Sequence, residues 1–168
     1  MEGCDVLIVG GGAAGIAAAK AAAEHCRGRI LLAERAEAPG GVLLQCAHRG
    51  FGPGLTGPET AAALMKDFPP QVELWYNTTV LRITEDRTAL LSGRDTGLRQ
   101  LGFRRLILAT GCRERAFGSL GISGTRPMGV YTAGQAQALL NQKGRLPAEP
   151  VVILGSGDLG LILAGQLS

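Results

Sequence analysis

The feature that most constrains this chain is an apolar run that ends in a glycine-rich turn near the amino terminus. Val6–Val9 are four aliphatic residues in succession, which is typical of a parallel strand buried on both faces. Gly10-x-Gly12-x-x-Gly15 then predicts a turn, and the alanine-rich stretch Ala13–Cys26 predicts a helix. In such a unit the backbone can approach a pyrophosphate closely, and the N–H groups of the helix N-terminus attract the anion.

A second apolar strand follows this helix and ends in an acidic residue. Arg29–Glu34 carries four aliphatic residues and places Glu34 19 residues after Gly15. In a dinucleotide-binding unit, a carboxylate about 20 residues beyond the glycine turn reaches a ribose hydroxyl. Strand, turn, helix, strand and acid together therefore predict nucleotide binding. The alternative is a glycine-rich βαβ unit that binds no ligand.

The composition is typical of a globular α/β protein and excludes several classes. The 168 residues are 46% hydrophobic and 18% charged, which excludes an intrinsically disordered chain. The net charge is only +3, and the basic pairs lack interleaved aromatic residues, so we expect no nucleic-acid partner. The apolar run between Asp5 and Lys20 is too short to cross a bilayer and follows an acidic residue. We therefore expect no transmembrane or targeting segment and a cytoplasmic location.

The cysteines and histidines predict neither a disulfide framework nor a metal site. Cys4, Cys26, Cys46 and Cys112 form no CxxC pair, and the two histidines do not stand at metal-ligand spacing. We therefore expect reduced thiols and no bound metal ion.

The middle of the chain predicts a small antiparallel meander inserted into an otherwise parallel sheet. After the meander, Leu106–Ala109 predicts a separate parallel strand that ends at Thr110-Gly111, on the same sheet edge as the first glycine turn. The strands predicted before it are Val72–Tyr76, Val80–Thr84, Ala89–Leu91 and Leu98–Phe103.

Two segments lack a regular period. Val42–Gly54 predicts an irregular loop beside the nucleotide cleft, where functional residues are often found, and Cys112–Met128 predicts a second loop. A helix is predicted after the second loop, with Thr132 as its N-cap, an end near Lys143 and Gly144 as its C-cap.

The glycine motif then occurs a second time. Val151–Leu154 predicts another buried strand, and Gly155-x-Gly157-x-x-Gly160 predicts a turn into a helix over Leu161–Ser168. We therefore predict two domains, a nucleotide-binding domain over residues 1–148 and the incomplete start of another over 149–168. The expectation from this pattern is a fragment of a longer protein, with a truncated product as the alternative.

Two such units separated by a meander resemble the flavoproteins with two dinucleotide-binding domains, the pyridine nucleotide-disulfide oxidoreductases. The resemblance covers essentially the whole chain. The segments after Ala109 and Gly129 are similar to a branch that contains the FAD subunits of hydrogen cyanide synthase, opine oxidase and sarcosine oxidase. The segments that carry the resemblance are Val9–Gly15, Glu34, Gly40-Gly41, Ala109–Arg115, Gly129–Gln137 and Gly155–Gly157.

The resemblance implies FAD at the first site and NAD or NADP at the second. It implies that the first glycine turn holds the FAD pyrophosphate, that Glu34 binds the adenosine ribose, and that Arg35 lies beside the adenine. Val80 would meet the adenine through its backbone. The remaining residues implied for FAD are Gly10, Gly12, Ala14, Gly15, Gly41, Val42, Thr110 and Gly111, and those implied for NAD(P) are Gly155, Gly157 and Gly160.

The chain departs from the disulfide reductases of this group. Their glutathione type carries two cysteines four residues apart after the double glycine, whereas this chain has only Cys46 there. Disulfide reduction is therefore unsupported. Cys46 and His48 are candidates for a thiolate or acid–base pair at the flavin, with simple packing as the alternative. Arg113-Glu114-Arg115 either presents a cation to a phosphate or to the flavin, or its residues pair with each other or with Asp and Glu at the surface.

We therefore predict an FAD-dependent oxidoreductase that moves electrons between a small organic substrate, FAD and either NAD(P) or a partner subunit. The alternatives are a truncated product that is inactive and a non-catalytic flavin- or nucleotide-binding subunit.

Overall fold

A computed structural model describes residues 2–125, 127–145 and 149–168. The chain forms two compact units. Unit 1 consists of Met1–Leu43 and Pro58–Gly111, and unit 2 consists of Leu44–Gly57 and Cys112–Ser168. The domain boundary predicted between residues 148 and 149 falls at residue 148, which lies outside the described residues, so it stays a prediction.

Unit 1 is built on a six-stranded sheet. Its strands are β1 (Glu2–Val9), β2 (Ile30–Ala33), β5 (Val72–Trp75), β6 (Thr78–Ile83), β7 (Thr88–Gly93) and β8 (Gly97–Leu108). They stand in the order β5-β2-β1-β8-β7-β6. β1, β2, β5 and β8 run parallel to one another, whereas β6 and β7 continue from β8 as an antiparallel meander. This confirms the predicted α/β fold with a meander in a parallel sheet.

β8 is a single strand of 12 residues, so the prediction of two separate strands over Leu98–Phe103 and Leu106–Ala109 is wrong. Its first half pairs with β7, from Gly97 to Gly102, and its second half pairs with β1, from Leu101 to Leu108. The pairing with β7 and the pairing with β1 overlap at Leu101 and Gly102. The backbone of β8 therefore has hydrogen-bond partners along its whole length, and no turn occurs at Arg104-Arg105.

The core lies on both faces of the central strands. Leu7 and Leu31 pack on one face with residues of β7 and β8, whereas Ile8, Ile30 and Leu32 pack on the other face. All five side chains are fully buried. The unbroken aliphatic runs of β1 and β2 therefore reflect burial on two faces, as predicted.

Two helices belong largely to unit 1. α1 (Ala13–His25) starts directly after the first glycine turn. Its buried residues include Ile16 and Ala19, and Ala19 packs in the core on one face of the sheet. α2 (Gly57–Met65) carries Glu59 in its first turn, where a negative charge favours the helix dipole.

Unit 2 contains short elements and two helices. The prediction of an irregular loop over Val42–Gly54 is wrong in part. A 3-10 turn covers Gly41–Gln45, and β3 (Arg49–Phe51) pairs with β4 (Leu55–Thr56), which follows the predicted loop. The Gly-rich tip 52–54 allows the reversal between the two strands. The helices are α3 (Ala133–Lys143) and α4 (Asp158–Leu167), and a 3-10 turn covers Phe117–Ser119.

The caps of α3 are those that the sequence predicts. Thr132 accepts a hydrogen bond from the Gln135 backbone N–H, and the Gln135 side chain accepts one from the Thr132 backbone N–H, which completes a capping box. Gly144 adopts a left-handed conformation with φ of 60° and ends the helix.

The predicted buried strand Val151–Leu154 is wrong for the described part of the chain. These residues pair with no other described strand, and Val152 and Leu154 are 89% and 84% exposed. A strand of a parallel sheet needs neighbours to satisfy its backbone and to cover its side chains, and unit 2 supplies neither among the described residues. The helix that follows starts at Asp158, earlier than the predicted Leu161. No described helix is long and apolar enough to cross a membrane.

Candidate functional site

The first glycine turn lies where three segments of unit 1 meet at the carboxyl edge of the sheet. Gly10 follows β1, and its N–H donates to the carbonyl of Ala33 at the end of β2 over 2.9 Å. The N–H of Ala109, directly after β8, donates to the carbonyl of Val9 over 2.8 Å. Ligands of open α/β sheets bind at this edge, outside the carboxyl ends of the strands.

Gly10 and Gly15 are required by internal packing. Gly10 has φ of 104°, and a Cβ there would lie 2.4 Å from the carbonyl oxygen of Ala109. A Cβ at Gly15 would lie 1.8 Å from the carbonyl oxygen of Gly10. These two glycines therefore let the turn, α1 and the end of β8 approach closely.

Gly12 has a different environment. It is the N-cap of α1 with φ of −73°, and a Cβ there would meet nothing closer than the Cα of Gly41 at 4.0 Å. No side chain of the described residues caps α1, and its first turn holds no acidic residue. The helix N-terminus beside Gly12 is therefore open to an anion, with N–H groups that no side chain occupies.

The double glycine packs against this turn. Gly40 forms a parallel bridge with Gly12, and its N–H donates to the carbonyl of Gly11 over 2.7 Å. Gly41 has φ of 56°, and a Cβ there would lie 3.0 Å from the Cα of Gly12. Two segments that lie almost 30 residues apart thus form one glycine-lined surface.

Glu34 is buried beneath the turn, with 7% of its surface exposed. Its Oε2 accepts from the Gly11 N–H over 2.5 Å, and its Oε1 accepts from the Ala36 N–H over 2.8 Å. Burial, and then the negative charge of Glu34, raises the pKa of Tyr76 above its ordinary value. The sequence predicts only a ribose contact for Glu34 and misses these backbone bonds; the two-residue spacing to Ala36 is the one local signal for them.

The remaining residues predicted for FAD are more open. Arg35, Ala14, Thr110 and Gly111 are exposed, and Gly111 has φ of 69°. Val42 is exposed, whereas Val80 is half-buried against the core of unit 1. These assignments stay predictions.

The second glycine turn lies in unit 2 ahead of α4. Gly155 has φ of 123°, and Gly157 is the N-cap of α4. A Cβ at Gly160 would lie 3.4 Å from Cγ2 of Ile153, whereas Gly157 faces open space. The turn therefore has the backbone form of the first one, but Asp158 places a carboxylate in the first turn of its helix.

Cys46 and His48 lie in unit 2. Cys46 is buried, and burial raises the pKa of its thiol, which disfavours the nucleophilic thiolate. His48 stacks at a tilt on Phe51 with 5.4 Å between ring centroids, and its buried Nδ1 has no hydrogen-bond partner among the described residues. Neither observation supports a thiolate–imidazole pair.

Glu114, the middle residue of Arg113–Arg115, has partners that the sequence does not predict. Its carboxylate accepts from the Thr132 hydroxyl over 2.6 Å and from the Gly134 N–H over 2.8 Å. Glu114 thus anchors the start of its loop to the N-terminus of α3. Arg113 and Arg115 are exposed. Among residues 2–125, 127–145 and 149–168, no three His, Cys, Asp or Glu side chains come together as a metal site.

Sequence comparison supports one family. The family model for pyridine nucleotide-disulphide oxidoreductase matches residues 4–168. The chain is 31% identical over 170 residues to an opine oxidase subunit of Rhizobium meliloti (strain 1021), covering 96% of this chain and 35% of that protein. It is 33% identical over 168 residues to hydrogen cyanide synthase subunit HcnB of Pseudomonas protegens, with 96% and 35% coverage. The chain thus spans about a third of the length of these relatives.

Solved structures show the same fold. The L-proline dehydrogenase of P. horikoshii superposes with a TM-score of 0.68 at 21% identity, over 86% of this chain and 29% of that one. The thioredoxin reductase of Lactococcus lactis superposes with a TM-score of 0.55 at 28% identity, over 68% of this chain and 37% of that one. Because the family model matches residues 4–168 and the chain carries two glycine turns, the chain belongs to the pyridine nucleotide-disulphide oxidoreductase family.

Proposed function

We propose that this chain binds FAD at the first glycine turn and belongs to an oxidoreductase that passes electrons between a small organic substrate, the flavin and either NAD(P) or a partner subunit. The observation that carries the proposal is the open helix N-terminus at Gly12, beside the double glycine Gly40-Gly41. A pyrophosphate fits such a surface for two reasons. The glycine backbone has no side chain that would keep the pyrophosphate away, and the N–H groups at the start of α1 can donate to it.

Different residues of unit 1 bind different parts of FAD. The turn from Gly10 to Gly15 binds the pyrophosphate, and Glu34 and Arg35 bind the adenosine end, together with the backbone of Val80. Gly41, Val42, Thr110 and Gly111 line the rest. The flavin, when bound, supplies the redox chemistry, and these residues bind it and orient it.

The described cysteines do not favour disulfide chemistry. The loop directly after the double glycine contains one cysteine, Cys46, and burial raises the pKa of its thiol. An exchange reaction needs an accessible thiolate and a resolving thiol. We therefore propose a substrate other than a disulfide. Opine oxidase and sarcosine oxidase are named for amino-acid derivatives, which favours a substrate of that class.

The second electron carrier is proposed on two grounds. The turn Gly155-x-Gly157-x-x-Gly160 is the proposed start of an NAD(P) site, and it does not distinguish NAD from NADP. The relatives with similar sequences are named as subunits, so the alternative carrier is a partner subunit. A cytoplasmic location stays a prediction.

Flavin titration of the purified protein tests the proposal. We expect a bound flavin with a perturbed visible spectrum. If the nicotinamide nucleotide is the carrier, we expect NADH or NADPH to bleach this flavin under anaerobic conditions in a protein that contains the complete second nucleotide-binding domain. A chain that is folded by circular dichroism but does not bind FAD would refute the proposal. In a protein that contains the complete second nucleotide-binding domain, bound flavin that neither nucleotide reduces would favour a partner subunit as the carrier.

A further inference from the structure

Each carboxylate oxygen of Glu34 accepts a hydrogen bond from the backbone of unit 1. Oε2 accepts from the Gly11 N–H at 2.5 Å in a buried hydrogen bond, and Oε1 accepts from the Ala36 N–H at 2.8 Å in a partly buried one. Hydrogen bonds to an ionised carboxylate are about twice as strong as neutral ones, and water competes little for them when they are buried.

Hydrogen bonds consequently hold both peptide groups that flank the Cα of Gly11. Its N–H is held by Glu34, and its carbonyl accepts from the Gly40 N–H over 2.7 Å. Gly11 is itself buried, and a Cβ there would lie 3.1 Å from Oε2 of Glu34. The middle of the glycine turn therefore has little freedom to rotate.

We propose that Glu34 is a positioning residue that holds the glycine turn in its ligand-binding form before any nucleotide arrives. The inference rests on the proposed function, because it assigns a second role to a residue of the same site. It has a chemical consequence: the Gly11 N–H is already used, so the pyrophosphate must take its donors from the residues that begin α1. Each carboxylate oxygen keeps a second lone pair, so a ribose contact is compatible with this role.

The chemistry of the two donors specifies a carboxylate. Both groups that face the side chain are N–H donors, and a carboxylate offers two acceptors. A glutamine offers one acceptor and one NH₂ group, which would meet one of the N–H groups donor to donor. A ribose hydroxyl both donates and accepts, so glutamine can still bind it. Glu34→Gln therefore separates the two roles.

Amide hydrogen exchange on the protein without nucleotide tests the positioning role directly. In Glu34→Gln we expect exchange at Gly11 or Ala36 to be about 10-fold to 100-fold faster, as follows from losing a charge-assisted hydrogen bond. Glu37→Gln is the matched control, since Glu37 is an exposed glutamate of the same loop and its substitution should leave both amides unchanged. Unchanged exchange in folded Glu34→Gln would overturn the proposal.

A second variant and a comparison of two ligands complete the test. If Glu34→Gln does not fold, Glu34→Asp serves instead, because a carboxylate one methylene shorter cannot span both donors and should also speed exchange at one of them. In the second arm, dissociation constants for ADP and 2′,3′-dideoxy-ADP are measured for wild type and variant. Positioning predicts that the variant weakens both ligands by a similar factor, about tenfold. A loss that vanishes with the dideoxy ligand would assign Glu34 to the ribose alone. If wild type binds neither FAD nor ADP, the proposed function fails, and the exchange experiment still decides the positioning role.

Discussion

Gly15 and Gly12 stand three residues apart in one motif, and the structure predicts opposite outcomes for the same substitution. An alanine Cβ at position 15 would lie 1.8 Å from the carbonyl oxygen of Gly10, whereas real Cβ contacts stay above 3.0 Å. The helix or the turn must therefore move by about 1.2 Å, and the contact is with backbone, which cannot rotate away.

The expected cost of Gly15→Ala follows from overpacking in a dense interior. Such insertions destabilise by about 1–3 kcal/mol or more. For a unit of this size each kcal/mol lowers Tm by roughly 4–8 °C. We therefore expect a fall in Tm of roughly 5–20 °C in the protein without ligand, measured by thermal unfolding.

Gly12→Ala should leave the fold nearly unchanged, because its φ of −73° suits alanine and its Cβ points into open space. The cost of a poorer N-cap is about 0.5–1 kcal/mol. The methyl group would nevertheless occupy the surface that the pyrophosphate approaches, so FAD affinity should fall at least about tenfold. The reasoning is refuted if Gly15→Ala melts with wild type, or if folded Gly12→Ala binds FAD as tightly as wild type.

Three further outcomes are expected from buried or charged groups. Gln137 is 1% exposed and its side-chain amide has no partner among the described residues, so Gln137→Met should raise the free energy of unfolding by about 1–3 kcal/mol in thermal melts. Because burial raises the pKa of Cys46, a thiol-alkylating reagent at pH 7 should label the exposed Cys112 first, and labelling of Cys46 should increase with pH. The hydrogen bond to Arg29 lowers the pKa of Glu73, so its contribution to stability is present above the ordinary glutamate pKa and is lost as pH falls through the lowered value; Glu73→Gln should reduce stability at pH 7 and lose its effect in acid.

The elements that the sequence predicts well are those set by local pattern. The aliphatic run of β1, the glycine turn and the alanine-rich α1 occupy the predicted positions, although β1 begins earlier, at Glu2. The caps of α3 also depend on residues three apart or adjacent, so Thr132 and Gly144 identify them. Where a few neighbouring residues decide the conformation, the prediction is confirmed.

The errors occur where distant segments decide. β8 is one strand because β1 and β7 together give it hydrogen-bond partners, which no local signal at Arg104-Arg105 reveals. Val151–Leu154 has strong strand propensity but no described neighbour to pair with. The hydrogen bond between Glu34 and Gly11 likewise depends on how β1 and β2 are placed, so the motif predicts an acidic residue there without predicting its backbone partner.

The pairing of β8 with β1 also bears on how the chain reaches this fold. Val9 lies opposite Leu108, so the central strand gains its second neighbour only after almost all of unit 1 has been synthesised. β2 can pair with β1 early. The opposite edge of β1, which pairs with β8 in the folded sheet, stays without hydrogen-bond partners until β8 has been synthesised. Pairing over such a sequence distance is slow to form, and an unpaired strand margin invites association with other chains. Aggregation during translation is therefore expected to depend on this margin of β1, and a substitution that weakens β8 should lower the soluble yield before it alters the folded sheet.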